Sequence, residues 1–294
     1  MPELPEVETM RRGIAPAVGM RIDRVEIPRG RLRPLLIEPA PPQFASHVRG
    51  SVLEAAERFG KRLALRLRAT DAKSSRARLA TAATPRWLVV EPRMTGLLLV
   101  AEPPTQEHVR LRLGGESPAG RPAELLFWDR RGLGTLRLVD ADGLARLCGE
   151  DRLGPDALEI SAAELITRLG GSARAVKVAL LDQKALAGVG NLYAAEILFR
   201  AGIDPRTRCS RLSRPRWRRL HAVMQEVLAE AIELEGSTLS DATYRTALNE
   251  PGRYQARHQV YGRAGQPCQV CGTDVTRIVQ AQRSTFFCHA CQVR

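Results

Sequence analysis

The chain has 294 residues, 44% of them hydrophobic and 26% charged, which is a globular composition and more length than one core ordinarily organises. A formal charge of +13 points to a polyanionic partner, nucleic acid first, although the excess of arginine over the four lysines (Lys61, Lys73, Lys177 and Lys184) is also what a GC-rich genome produces. No stretch approaches the run of about eighteen apolar residues that a membrane span needs, and the acidic, core-less start does not resemble a secretory signal, so a cytoplasmic protein is expected.

The chain opens MPELPEVE. Methionine is usually trimmed before a small residue, and the mature chain would then begin with the secondary amine of Pro2, a nucleophile. A helix is expected from Pro5: proline suits the first turn, Glu6 and Glu8 complement the dipole, and Val7, Met10 and Ile14 share a face before Gly13 and Pro16 end it. Pro2 and Glu3 therefore sit just ahead of a helix N-terminus, whose field favours the neutral amine while Glu3 and Glu6 oppose it.

Strand-like runs follow. In GKRLALRLR the residues Leu63, Leu65 and Leu67 alternate with arginines, and WLVVEP, LLLVAE, VRLRL, ELLFW and GTLRLV continue the pattern, so a β-sandwich is expected over residues 1–140. The small-residue stretch at 70–85 interrupts it as an insertion with no assigned role.

Near Asp140 the period changes to helical, and residues 141–260 read as a bundle. Within it, AGVGNLYAAE places Gly188 and Gly190 in a tight turn, with Asn191 as N-cap of the next helix, where amides could meet a phosphate. Such turns are also common as plain geometry, and Tyr193 stands where a dinucleotide fingerprint has its third glycine.

Residues 261–294 carry Cys268-x2-Cys271 and Cys288-x2-Cys291, the spacing of a four-thiolate structural zinc site, with disulfide pairing as the alternative. Arg283 falls near the tip of the hairpin between the knuckles, where a metal-stiffened segment could aim it at a phosphate. Cys148 and Cys209 lack partner spacing and read as ordinary buried thiols.

The start PELPEVETMRRG, RFGKRLAL, Met94-Thr95-Gly96, LLDQKALAGVGNLYAAEILFRAGIDP and the cysteine-bearing end resemble, in order and over almost the whole chain, the bacterial formamidopyrimidine-DNA glycosylases of the Fpg/Nei family. The resemblance implies an α+β protein: an N-terminal β-sandwich with flanking helices, a helix-two-turns-helix bundle, and a four-cysteine zinc-finger hairpin holding one structural zinc ion. It implies a monomeric, nucleoid-associated glycosylase and AP lyase acting on damaged double-stranded DNA, excising oxidised purines and cutting the strand by β,δ-elimination. Pro2 would be the nucleophile and Glu3 the acid, with Lys61 and Arg283 also counted as catalytic. Glu6, Met94, His108, Arg131 and Asn191 would make the DNA-binding set, Met94 as a wedge in the void left by the flipped base. Residues near 236–259 would cover the extruded base.

One segment departs from the family pattern: Asp129-Arg130-Arg131-Gly132-Leu133-Gly134 keeps a phosphate-facing arginine at Arg131 but has Gly132 at the position assigned to reading the opposite base and Leu133 in place of an aromatic wedge. Two other readings stay open: an endonuclease VIII-like enzyme for oxidised pyrimidines, and a damaged-DNA binder without turnover, which would need neither Pro2 nor Glu3.

Overall fold

The structure, a computed structural model, describes residues 2–28, 33–69 and 85–294; Met1 and all of the expected insertion except Pro85 lie outside them. The alternation in the sequence becomes one-sided strands. In β4 (Arg62–Ala69) the leucines are buried while Arg66 and Arg68 are exposed.

Nine described strands join one continuous ladder: β1 (Arg21–Glu26), β2 (Leu36–Glu38), β3 (Ser51–Phe59), β4, β5 (Arg86–Glu91), β6 (Gly96–Leu99), β7 (Val109–Glu116), β8 (Pro122–Asp129) and β9 (Thr135–Val139), in the order β2-β9-β5-β4-β3-β1-β7-β8-β6. The ladder is thinnest between β1 and β3, which share only the pair Arg21 and Val52. At that seam the sheet turns over. Leu53, Leu65 and Val90 from one half meet Ile22, Leu111 and Phe127 from the other in a single core, which makes the expected two-layer sandwich.

Helix α1 (Leu4–Gly13) adds Val7, Met10 and Ile14 to the same core and packs against β3, β4 and β6. Helix α2 (Pro41–Val48) buries Phe44 and Val48 there too. Helix α3 (Ala141–Cys148), capped by Asp140 accepting from the Gly143 amide at 2.8 Å, packs on β5 and β9. It therefore belongs with the sandwich.

The chain forms two compact units that interleave: residues 1–149 with 235–253, and residues 150–234 with 254–294. Composition marks where secondary structure changes, not where contacts fall. Segment 235–253 rejoins the first unit because Tyr244 and Ala247 enter the sandwich core and the Val100 amide donates to the Ala247 carbonyl at 2.9 Å.

In the second unit, α4 (Ala162–Leu169) packs on α7 (Arg214–Glu233), and α5 (Val176–Leu180) packs on α6 (Asn191–Arg200). Strands β10 (Thr276–Gln280) and β11 (Arg283–Phe287) make the terminal hairpin, which rests on α6 through a small core of Ala195, Phe199, Val260, Val275 and two cysteines. Such a core is too small to order a hairpin alone. A buried carboxylate adds to it: Glu196 accepts the amides of Gln259, Val260 and Tyr261 at 2.8–3.1 Å, binding the lead-in of the hairpin to α6.

A run of rings, Tyr254, His258, Tyr261 and Phe286, continues from that lead-in to β11 with centroids 5.2–5.9 Å apart. Burial holds the His258 imidazole down at about 4, so the folded protein keeps it neutral. An unfolded chain takes up that proton below about pH 6.5, so stability is complete above that pH and is lost as pH falls toward 4. The loss should reach about 3 kcal/mol, and in urea titrations His258→Phe should flatten the pH dependence between 6.5 and 4; an unchanged slope would show the ring is not its source.

Candidate active site and DNA interface

Helix α1 begins where the sequence places it. Pro2 is buried and Glu3 is 4% exposed, at the N-cap. Glu3 and Glu6 form a capping box, in which the Glu3 amide donates to Glu6 Oε2 at 2.9 Å. The other Glu6 oxygen accepts the Ser237 amide at 2.9 Å, so one buried carboxylate ties the start of the chain to segment 235–253. Gly236 makes this approach possible. It sits at φ +77°, and a Cβ there would stand 2.8 Å from Glu6 Oε1.

Segment 235–253 is itself braced. Thr238 Oγ1 donates to the Tyr244 carbonyl at 2.7 Å and accepts the Gly252 amide at 2.9 Å, while the buried Tyr244 hydroxyl donates to the Glu235 carbonyl at 3.0 Å. Burial pushes the Tyr244 phenol well up, keeping it a donor.

Lys61 stands in the two-residue turn between β3 and β4, half-buried, with Gly60 at φ +56° supplying the left-handed position such a turn needs. Met94 follows Arg93, which has φ +55°, and is 38% exposed, whereas Met10, Met20 and Met224 are fully buried. That exposure sets it apart from core. Beside it, Thr95 Oγ1 accepts the Arg131 amide at 3.0 Å and donates to the fully buried Asp129 carboxylate, whose other oxygen accepts the Gly134 amide at 2.8 Å. Asp129 thus fastens the Met94 turn and the exposed Arg131 loop to each other.

Gly132 lies in that loop at φ +60°, and a Cβ there would come within 2.9 Å of the Arg33 carbonyl oxygen. Arg110, buried, braces the same loop by donating to the carbonyls of Asp129 and Arg33. His108 packs its ring 5.4 Å from Trp128 and places Nδ1 2.7 Å from Thr105 Oγ1.

In the second unit the helix α6 cap is Gly190, and Asn191 is the first helical residue, not the cap that its residue type predicts. The reason is a stronger local partner. Asn191 Nδ2 donates to the Ser284 carbonyl at 3.0 Å, and its Oδ1 accepts from Lys177 Nζ at 2.7 Å. Lys177 is 1% exposed and donates as well to the Ser284 carbonyl at 2.9 Å and Thr285 Oγ1 at 2.7 Å. One ammonium therefore joins α5, α6 and β11.

Arg283 opens β11 next to a two-residue turn, where Ala281 and Gln282 take φ +46° and +61°. It is exposed, with no carboxylate within ion-pair distance among the described residues. The four cysteine sulfurs lie within 4.8 Å of one another, with Cys268 to Cys291 at 3.9 Å and Cys271 to Cys288 at 3.5 Å. Thiolates held tetrahedrally at about 2.3 Å from zinc stand about 3.8 Å apart, so the donor set fits that ion; a disulfide would need about 2.05 Å. Cys148 and Cys209 are buried thiols, and burial pushes both up.

As fastenings, Lys177, Asp129 with Thr95, and Ser237 are not apparent from any spacing or motif in the sequence. Lys177 carried one usable signal, being one of four lysines in an arginine-rich chain.

A sandwich that leads with a buried Pro-Glu pair, followed by a two-turn helix pair and a cysteine hairpin, is the architecture of the helix-two-turns-helix class of DNA-repair proteins. Family models agree along the chain: the formamidopyrimidine-DNA glycosylase N-terminal domain matches residues 1–136, its H2TH domain 153–243, and the zinc finger found in FPG and IleRS 265–293. The formamidopyrimidine-DNA glycosylase of Chloroflexus aggregans is 39% identical over 297 residues, covering 100% of this chain and 99% of its own. That of Burkholderia thailandensis is 39% identical over 305 residues, covering 99% and 100%. The crystal structure of the Thermus thermophilus MutM (Fpg) protein superposes with a TM-score of 0.79 at 36% identity, covering 99% of this chain and 98% of that one. Lactococcus lactis Fpg in complex with abasic-site DNA gives 0.83 at 28% identity with full coverage of both. The chain belongs to the formamidopyrimidine-DNA glycosylase family.

Two outcomes follow from the second unit. Lys177→Met strands the Asn191 and Ser284 acceptors, so unfolding of that unit should become easier by about 2–4 kcal/mol in denaturant titrations, against no change if the ammonium is dispensable. Zinc chelation or Cys268→Ser should raise amide exchange in 276–287 and weaken duplex binding while leaving β3–β5 protected; undiminished affinity after verified metal loss would count against a role for the hairpin.

Proposed function

We propose that this protein is a bifunctional DNA glycosylase and AP lyase of base excision repair that releases oxidised purines, of the formamidopyrimidine and 8-oxoguanine type, from duplex DNA. The reading is carried by one observation: the peptide joining Pro2 to Glu3 is fixed at the head of α1 by donating its amide to the Glu6 carboxylate, itself held by the Ser237 amide. With Met1 removed, Pro2 offers a secondary amine whose lone pair bonds C1′ of the damaged nucleotide as the C1′–base bond breaks; the base leaves with those electrons and takes up the proton that the new C1′–N ammonium gives up. Glu3 donates a proton to the ring oxygen, the sugar opens, and the product is a cationic iminium with no N–H to lose. That cation draws electrons from C2′, whose proton departs as the 3′ phosphate is expelled; a second proton loss expels the 5′ phosphate.

Lys61 and Arg131 contact phosphates around a nucleotide flipped from the stack, and Asn191 and Arg283 contact phosphates of the duplex. Met94 enters the vacated space, its exposure matching a side chain that gains cover only on DNA. His108 joins the DNA-binding set, and one structural zinc ion orders the Arg283 hairpin. The chain acts as a monomer in the cytoplasm, at the nucleoid. No helix among the described residues is long and apolar enough to cross a membrane.

Complexes of Lactococcus lactis Fpg support this partner: the protein has been solved with abasic-site DNA, and a mutant of it with Fapy-dG DNA. Wild-type Lactococcus lactis Fpg has also been solved with DNA containing an oxidised pyrimidine, which gives that lesion class a specific place in the test panel.

On a duplex panel varying the lesion and the base opposite, Glu3→Gln should lower base excision by about a hundredfold or more while lesion affinity stays nearly constant. Borohydride should trap a covalent adduct whose mass maps to Pro2, and an N-terminal extension should abolish it. Equal loss of binding and excision would overturn the role of Glu3, and an adduct on another residue that of Pro2.

A further inference from the structure

Helix α1 carries a second buried carboxylate that the proposed chemistry leaves unused. Glu8 is 6% exposed and accepts four hydrogen bonds: from Arg11 Nε at 3.0 Å and Nη2 at 2.8 Å, from Arg12 Nε at 2.8 Å, and from Arg58 Nε at 3.1 Å. The first three are the one-turn neighbours expected on a helix, and they already give the carboxylate its countercharge. The fourth differs, because Arg58 lies on β3 and its side chain is only 8% exposed.

Arg58 also reaches forward. Its Nη1 donates to the Gly60 carbonyl at 3.2 Å, inside the two-residue turn whose other residue is Lys61. One planar guanidinium therefore spans from the helix that starts after Pro2 and Glu3 to the peptide directly preceding Lys61. An ion pair this buried adds little net stability over apolar residues of the same size, because desolvation offsets the attraction; what it fixes is relative position. The Glu8 carboxyl, though burial works against its charge, is held down to about 2 by the three guanidiniums, so the bridge persists across the working pH range.

We infer that Arg58 is a positioning residue for the Lys61 phosphate contact, locking the β3–β4 turn to helix α1 so that the phosphate-binding ammonium keeps a fixed place relative to the Pro2 amine. The inference rests on Lys61 contacting phosphate, as proposed above. Arg58 touches neither the sugar nor the phosphate. Its removal takes away the guanidinium that joins this turn to helix α1, and Lys61 would then meet the phosphate less closely in register with the nucleophile.

The test compares the full-length wild type with Arg58→Met, which keeps the apolar stem, with Lys61→Ala and with the double variant. For each, the affinity for an abasic-analogue duplex is measured across a salt series, together with the borohydride trapping rate and the melting temperature. Lys61→Ala should flatten the slope of log K against log salt by about 0.9, the signature of one lost phosphate contact. Arg58→Met should flatten it by a similar amount and slow trapping about tenfold, and the double variant should match Lys61→Ala alone. A purely structural arginine would shift the melting temperature and leave the salt slope intact. Should Arg58→Met fold poorly, Arg58→Lys keeps the charge but loses the fork to both acceptors, and the same flattened slope is expected of it. A wild-type slope in the folded Arg58 variant, or additive losses in the double variant, overturns the positioning role. A wild-type slope in Lys61→Ala instead overturns the phosphate contact, and the inference with it.

Discussion

The Glu6 carboxylate accepts the amides of Glu3 and Ser237, residues far apart in the chain, and the rest of the candidate site depends on that double acceptance. A helix N-terminus leaves several amides without partners, and a chain terminus ahead of it is ordinarily frayed. Here the first peptide is held by the capping box, and the Glu6 of that box is held in turn by a segment that belongs to the same unit only through tertiary contact. In the proposed reaction the Pro2 amine must meet one carbon atom, and that calls for this kind of fixation, because misplacement by about an ångström costs orders of magnitude in rate.

The second unit solves a similar problem with the opposite sign. The hairpin has a core of a few side chains, and its order comes from the four-thiolate site at its base and from the Lys177 ammonium along β11. Glu196 supplies a third fastening at the lead-in. Across both units, buried charges of either sign act as splices between elements far apart in sequence, with the buried group satisfied by backbone amides or carbonyls as much as by counterions.

Much of the fold was legible because the physics behind it is local. The Leu63, Leu65 and Leu67 alternation, the Pro5 start of α1 and the spacing of the cysteines each report on neighbours within a few residues. The interleaving of the units was not legible. Residues 235–253 follow a long helix and carry no compositional mark of returning to the sandwich; the return is made by Tyr244, Ala247 and the Glu6 oxygen. Asn191 shows the same limit at a single residue. Its type suits an N-cap, but a buried lysine and a carbonyl from β11 claim its amide, so Gly190 takes the cap. Asp129 likewise stands in the sequence only as the start of the segment that runs to Gly134, and only the fold shows it accepting from two loops at once.

The left-handed conformation of Gly132 bears on how this lineage can change. The backbone at that position curls against the Arg33 carbonyl, with no room for even a methyl group, so any longer side chain there would have to arrive together with a rebuilt loop and a displaced neighbour. A single substitution by a bulkier residue would strain the left-handed backbone and press on the Arg33 carbonyl. The glycine thus couples two segments: a larger residue at 132 requires the backbone at Arg33 to move with it, so change in this loop is accommodated more easily at the residues on either side.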